Sequence, residues 1–176
     1  MILYYLSTMS VTTFNTKWWN VLNILFHYRR MQHQEEKNLE YVALFHDIGK
    51  IGIPDDILLK SCKLTYQEYA VIQKHPVLGV NILKSIEFLK EILPIIKCHH
   101  ERYDGKGYPD NMIGKDIPLC SRIITVADTY DAMTSDRPYR LRLAHQVAVS
   151  EIVKNKGLQF DPNVVDAFML IEDQLN

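Results

Sequence analysis

Cysteine is scarce: three residues in a chain of 176, too few and too odd in number for a disulfide framework. Cys62, Cys98 and Cys120 form no CxxC pair, which excludes a zinc ribbon and leaves buried, inert thiols of a reducing cytoplasm as the expectation. Glycine and proline number seven each and gather at a few places, so most of the chain lacks helix breakers. Neither sign of charge dominates. Twenty basic against 21 acidic residues give a net charge of -1, and this near balance excludes a general attraction to polymeric nucleic acid or to anionic membranes. An anionic ligand would have to be held by a local cluster of charge or by metal. Long hydrophobic runs are also missing. Met1 to Phe14 is apolar and aromatic but is broken by Ser7, Thr8, Ser10, Thr12 and Thr13, and Lys17 interrupts again before Trp18, Trp19 and the stretch to Tyr28. No run reaches the roughly 18 to 20 residues of a membrane-spanning helix. No basic region precedes a small-residue cleavage site, so no signal peptide is expected. Period-2 alternation is absent as well, which speaks against strands and for an all-α domain.

What the chain does contain is helical punctuation. Glu35 to His46 carries Leu39, Val42, Ala43 and Phe45 at helical spacing, and Ile48 to Pro54 ends that helix in a loop. Thr65 and Glu68 form a capping box that predicts a helix start, running through Ala70, Val71 and Ile72 toward His75 and Pro76. Further helices are predicted over Val77 to Leu89 and over Ile92 to His100, the latter with Pro94 in its first turn. Asp104-Gly105-Lys106-Gly107-Tyr108-Pro109-Asp110-Asn111 is a loop by its glycine and proline density. Pro118 to Ser135 reads as a long buried helix with Ile123, Ile124, Val126, Ala127 and Tyr130 on its apolar faces. Ala144 to Lys154 and Pro162 to Leu175 complete the set.

The chemistry lies in residues near the predicted helix ends. Histidine nitrogens and aspartate oxygens are ligands for hard or borderline cations. The chain presents His46-Asp47, His75, His99-His100 and Asp128. Adjacent His46 and Asp47 can serve two different metals if the carboxylate bridges. Two metals about 3.5 to 4 Å apart clamp the attacking and leaving oxygens of a phosphoester, with a hydroxide between them as nucleophile. Lys50, about one turn beyond His46, can reach a phosphate oxygen. A lone histidine is more often a packed, hydrogen-bonded core residue, but five such groups around a glycine-rich loop point to a helical metal-dependent hydrolase of phosphoesters.

The motifs around these residues resemble the HD-GYP family. His46-Asp47-Ile48-Gly49-Lys50-Ile51-Gly52-Ile53-Pro54 resembles its HD segment, and His99 to Pro109 is similar to its HHExxDGxGYP segment throughout. Arg122 to Arg140, containing Val126-Ala127-Asp128 and Arg137-Pro138-Tyr139-Arg140, is similar to the next block, and Gln159-Phe160-Asp161-Pro162 to the C-terminal one. The likeness runs in order from about Leu39 to Phe168, and so many long motifs in sequence are highly specific. It implies an HD-superfamily helical bundle with a Gly-rich GYP loop over 35-176; the segment over 1-34 is atypical for the family, and its apolar residues are read as a helix or two packing on the domain. It implies a signal-transduction hydrolase of a bacterial second messenger: cyclic di-GMP cleaved to pGpG and on to GMP, with two or three iron or manganese ions activating a hydroxide that attacks phosphorus. It implies metal binding by His46, Asp47, His75, His99, His100 and Asp128, with Asp47 bridging and catalytic. Lys50 would contact phosphate, and Tyr108, Arg137 and Arg140 would bind the dinucleotide through an aromatic face and guanidinium forks. Gly105 and Gly107 are expected to shape the loop, and Glu101 and Asp104 to have structural roles before catalytic ones. GGDEF-type partners are common in the family; a cytoplasmic location is expected from the sparse cysteines, and a homodimer from the apolar N-terminus as an interface.

One departure stands upstream. Family members carry a histidine on an early helix; the position about 32 residues before His46 is Phe14, flanked by Thr13 and Asn15. Phenylalanine binds no metal. His27 and His33, 19 and 13 residues before His46, lie off that spacing and would reach the site only by a different path. Three classes of function follow: an active cyclic di-GMP phosphodiesterase, a catalytically impaired relative that binds the dinucleotide as a sensor, and an HD-type phosphohydrolase acting on another nucleotide. The intact downstream set favours the first.

Overall fold

The computed structural model describes residues 33–136 and 141–175. Most of the 1-34 segment, with Phe14 and His27, and the proposed dinucleotide-binding Arg137 and Arg140 lie outside the described residues. Helix α1 (His33–Phe45) buries Leu39, Val42 and Ala43 at i, i+3, i+4 spacing. A turn at His46 and Asp47 leads into a 3-10 turn (Ile48–Gly52), where a loop had been expected, and a short α2 (Asp55–Leu58). Helix α3 (Tyr66–Ile72) starts as the sequence predicts: Thr65 Oγ1 accepts from the Glu68 amide at 3.2 Å, and Glu68 Oε2 accepts from the Thr65 amide at 2.7 Å. Then follow α4 (His75–Leu83), a 3-10 turn (Glu87–Ile92) and α5 (Leu93–Cys98), with Pro94 in the first turn of α5. The long helix α6 (Leu119–Thr134), α7 (His145–Lys154), α8 (Pro162–Met169) and a closing 3-10 turn (Glu172–Leu175) complete the order. Among the described residues there is no strand, only two isolated bridges, Asp104 with Ile113 and Lys156 with Phe160. The all-α expectation is met.

Helix α6 occupies the centre. Ile123, Ile124, Val126, Ala127 and Tyr130 are buried, and so are Ser121 and Thr125 on another of its faces. Hydroxyls buried in this way must be satisfied internally. Ser121 Oγ donates to the Ile95 carbonyl at 3.0 Å, and Thr125 Oγ1 lies 2.8 Å from both the His99 and the Ser121 carbonyls. These bonds fasten the end of α5, and with it His99, to the core. Arg122 pairs with Asp161, which is fully buried and caps α8 by accepting from the Asn163 amide at 2.8 Å.

Two expectations are corrected. The helix predicted over Val77 to Leu89 stops at Leu83 and resumes as a 3-10 turn at Glu87. Leu83, Leu89 and Ile92 are buried whereas Phe88 is exposed. An unbroken helix would turn Glu87 and Lys90, not Leu89, onto the Leu83 face, so the chain breaks at Ile86 to keep the charges in solvent. Cys62, expected to be buried, is exposed on the stretch before α3, while Cys98 and Cys120 are buried.

Glycine is required where the Ile48–Gly52 turn crosses α4. A Cβ on Gly49 would lie 1.9 Å from the His75 carbonyl oxygen and 2.5 Å from the Gly79 amide nitrogen. The absent side chain lets the turn bearing Lys50 sit directly on the helix that begins with His75.

Candidate metal centre and adjoining cavity

Three histidines share one local construction. His46 Nδ1 lies 3.1 Å from the Ala43 carbonyl, His75 Nδ1 2.8 Å from that of Ile72, and His99 Nδ1 2.5 Å from that of Ile96. Each carbonyl belongs to the last turn of a helix, α1, α3 and α5 in order, where it has no amide of its own helix to accept from. A carbonyl only accepts, so each Nδ1 carries the proton. In the neutral ring each Nε2 is then a bare lone pair. Carbonyl partners of this kind fix the tautomer and aim of metal-binding imidazoles. The three helix C-termini also turn the negative ends of their dipoles toward this region, which favours a cation.

The lone pairs converge. His75 Nε2 is 3.2 Å from His99 Nε2 and 3.3 Å from Asp47 Oδ1. With both Nδ1 atoms protonated, the facing nitrogens cannot hydrogen-bond each other, and Asp47 Oδ1 is buried without a donor. Ligand atoms of Asp47, His75, His99 and His100 all lie within 4.8 Å of one another. A buried set of acceptors with no proton between them is unfavourable by itself and suits a divalent cation. Asp47 also looks the other way: its Oδ2 lies 3.5 Å from His46 Nε2, which is 3.9 Å from Asp128 Oδ1. The carboxylate thus sits between two groups of donors. All six sequence-derived ligand candidates come together. Lys50 Nζ sits on Asp47 Oδ2 at 2.5 Å, so this ammonium faces the carboxylate.

The electrostatics follow from burial. Desolvation pushes His99 well below its ordinary value, reinforced by His100 and His46, and it pushes His100 down to about 3, reinforced by His75. Both rings are therefore neutral and ready to bind metal at neutral pH. Burial alone would raise Asp47, but the Lys50 ammonium, then His46, outweigh it and hold the carboxyl well below the usual range.

A cavity of 480 Å³ opens beside this cluster, a size typical of small-molecule sites. His99, His100 and Asp128 form one wall and Tyr108 another, with the Tyr108 ring 4.9 Å from that of His100. Burial, then Tyr69, Asp47 and Asp128, push the Tyr108 hydroxyl upward, so it stays protonated. The loop bearing Tyr108 is held by buried Glu101, whose carboxylate accepts from the Asp110 amide at 2.7 Å and the Met112 amide at 3.1 Å. Gly107 passes so close that a Cβ would lie 2.3 Å from the Arg102 amide nitrogen. Asp104 grips Arg102 through Nε at 3.0 Å and Nη2 at 2.8 Å. Glu101 and Asp104 therefore have the structural work that was expected of them. Sequence reasoning missed Tyr69, Gln73, Thr129 and Gln159 on the cavity wall. Gln159 opens the C-terminal block that carries the family resemblance, but no place on a cavity wall was read from it.

An all-α domain that gathers histidine and aspartate lone pairs beside a cavity defines a helical protein with a cluster suited to divalent metal. The HD domain family matches residues 15–164, and the chain belongs to that family, carrying its HD-GYP sequence pattern. The chain is 42% identical over 147 residues to the cyclic di-GMP phosphodiesterase response regulator RpfG of Xanthomonas campestris, covering 82% of this chain and 39% of that protein. It is 40% identical over 139 residues to a cyclic di-GMP phosphodiesterase of Thermotoga maritima, covering 78% and 38%. It is 37% identical over 147 residues to the 3'3'-cGAMP-specific phosphodiesterase 2 of Vibrio cholerae, covering 82% and 28%. The chain thus spans well under half of these relatives. The crystal structure of a cyclic GMP-AMP specific phosphodiesterase of Vibrio cholerae superposes with a TM-score of 0.65 at 20% identity, over 90% of this chain and 42% of that one, a likeness of fold. Among the described residues no helix is long and apolar enough to cross a membrane.

Proposed function

We propose that this chain is a metal-dependent phosphodiesterase that hydrolyses cyclic di-GMP to pGpG and on to GMP. The observation that carries the reading is the set of proton-free acceptors, His75 Nε2, His99 Nε2 and Asp47 Oδ1, packed against one another, with His99 also on the cavity wall. His75, His99, His100 and Asp47 would hold one divalent ion; His46, Asp128 and the second oxygen of Asp47 would hold another. Iron or manganese suits this mixture of nitrogen and oxygen, and two or three ions per chain belong to the reading. Such ions, when bound, supply Lewis acidity toward phosphoryl oxygen and lower the pKa of water. The chain's own residues do the rest. Lys50 balances the charge of Asp47, and its contact with a phosphate belongs to the reading on the sequence resemblance. Tyr108 offers a ring face to a guanine, and its raised hydroxyl remains a hydrogen-bond donor. Arg137 and Arg140 belong to the reading as phosphate forks, on the sequence resemblance alone. A cytoplasmic setting, GGDEF-type partners and a homodimer go with it.

A second substrate is favoured by one observation: three relatives from Vibrio cholerae, at 37%, 36% and 42% identity, are named 3'3'-cGAMP-specific phosphodiesterases. The deciding experiment incubates the metal-loaded chain with cyclic di-GMP, 3'3'-cGAMP and cyclic di-AMP and separates the products by chromatography. Faster release of pGpG than of the hybrid product supports the reading. Preference for the hybrid moves the assignment to that substrate, and binding of the dinucleotide without any product moves it to a sensor.

A further inference from the structure

We propose that Gln159 is a specificity-determining residue of the cavity, its side-chain amide donating to the O6/N7 edge of a guanine base. The inference rests on the cyclic-dinucleotide reading above and names what selects the base. Gln159 lines the same cavity as His100, Asp128 and Tyr108. Its backbone is fixed on both sides, the amide donating to the Asn155 carbonyl at 3.0 Å and the carbonyl accepting from the Tyr103 amide at 3.1 Å. Its side chain is oriented by chemistry. Arg102 Nη1 lies 3.1 Å from Gln159 Oε1, and a guanidinium only donates, so the oxygen must face Arg102 and the NH₂ must face away. Arg102 cannot swing clear, because Asp104 holds its other two nitrogens in a fork. Its charge is matched by that carboxylate, and three of its five N–H groups are committed within the protein, so Arg102, itself on the cavity wall, acts as an orienter of Gln159. The amide nitrogen of Gln159 has no hydrogen-bond partner among the described residues and leaves two N–H donors for the cavity it lines.

A group that offers only donors, as the Gln159 NH₂ does, discriminates between purines. Guanine presents two acceptors, O6 and N7, on that edge; adenine presents N7 but replaces O6 with an N6 amino donor. A donor facing a donor is repelled, and the amide goes unpaired. Gln73, which also lines the cavity, differs: among the described residues no side-chain hydrogen bond fixes which end of its amide faces the cavity, so it can serve either base. The asymmetry therefore resides in Gln159 and in the Arg102–Asp104 pair behind it.

The test compares kcat and KM for cyclic di-GMP and cyclic di-AMP in the intact, metal-loaded chain, with Gln159→Leu and Gln159→Glu as variants. GMP and AMP serve as competitive ligands that report base binding without diester cleavage. Wild type is expected to prefer the guanine dinucleotide. Q159L is expected to lose about tenfold in kcat/KM for cyclic di-GMP, mainly through KM, and to leave cyclic di-AMP within about twofold, since one base-edge contact carries discrimination of that order. GMP inhibition should weaken in parallel while AMP inhibition stays. Q159E, whose second oxygen would accept from N6, is expected to narrow or reverse the preference. An unchanged guanine-to-adenine ratio in a folded Q159L, or equal loss on both substrates, would overturn the proposal and leave the phosphodiesterase reading standing. A wild-type chain that turns over no cyclic dinucleotide would remove both.

Discussion

Replacing Gly49 with alanine tests how tightly the fold holds the metal centre together. The added methyl would sit 1.9 Å from the His75 carbonyl oxygen and 2.5 Å from the Gly79 nitrogen, both backbone atoms that cannot rotate aside. The Ile48–Gly52 turn and α4 must part by about 1 Å, and overpacking of this kind costs roughly 2 to 4 kcal/mol. For a chain of this length that is a fall in Tm of roughly 5 to 15 °C. The same displacement moves His75 away from Asp47, so affinity for a divalent ion should fall at least about tenfold. Gly52→Ala is the matched control, because its Cβ would meet only the flexible end of Leu78, at 3.0 Å, and should cost less than about 1 kcal/mol. Differential scanning fluorimetry with and without manganese, and a metal titration followed by calorimetry, read both effects. A Gly49→Ala protein with a Tm within about 2 °C of wild type and unchanged metal affinity would refute the claim that backbone contact fixes the two ligands.

Three further outcomes follow from the same geometry. Asp47→Asn removes the carboxylate shared by both donor groups and should lower metal affinity by more than about 100-fold, since outer partners alone are worth about 10- to 100-fold; circular dichroism should show the helices retained. Thr125→Val deprives the His99 carbonyl of its hydroxyl donor while keeping the side-chain shape, and should cost about 1 to 3 kcal/mol in urea unfolding. Burial, aided by Glu101 and Asp110, pushes the Cys98 thiol up to about 11, so at pH 8 it stays protonated and buried. A thiol reagent should therefore label exposed Cys62 quickly and Cys98 and Cys120 only on denaturation, as mass spectrometry of the labelled chain would show.

What was legible in the sequence was whatever local chemistry dictates. The Thr65–Glu68 capping box and the apolar run of α6 appear where periodicity and capping put them, because both depend on residues within a turn or two. The break at Ile86 was not legible. It is imposed by the choice of whether Leu89 or Glu87 faces the core, and that choice depends on α1 and α5 packing from elsewhere in the chain. The candidate metal ligands could be named from residue type and motif. Their readiness could not: it depends on the carbonyls of Ala43, Ile72 and Ile96, which take the Nδ1 protons, and on the crossing at Gly49. Gln159 escaped notice for a similar reason. Its orientation is set by Arg102, 57 residues earlier, across the junction of two loops.

The most direct test of the central claim measures metal content and cyclic di-GMP turnover on one preparation, purified without oxygen and titrated stepwise with iron or manganese. The account predicts that pGpG release rises with metal bound, and that His99→Ala abolishes both the binding and the release. A chain that hydrolyses cyclic di-GMP equally well after exhaustive chelation, or one that binds metal at this site and cleaves no cyclic dinucleotide, would contradict it.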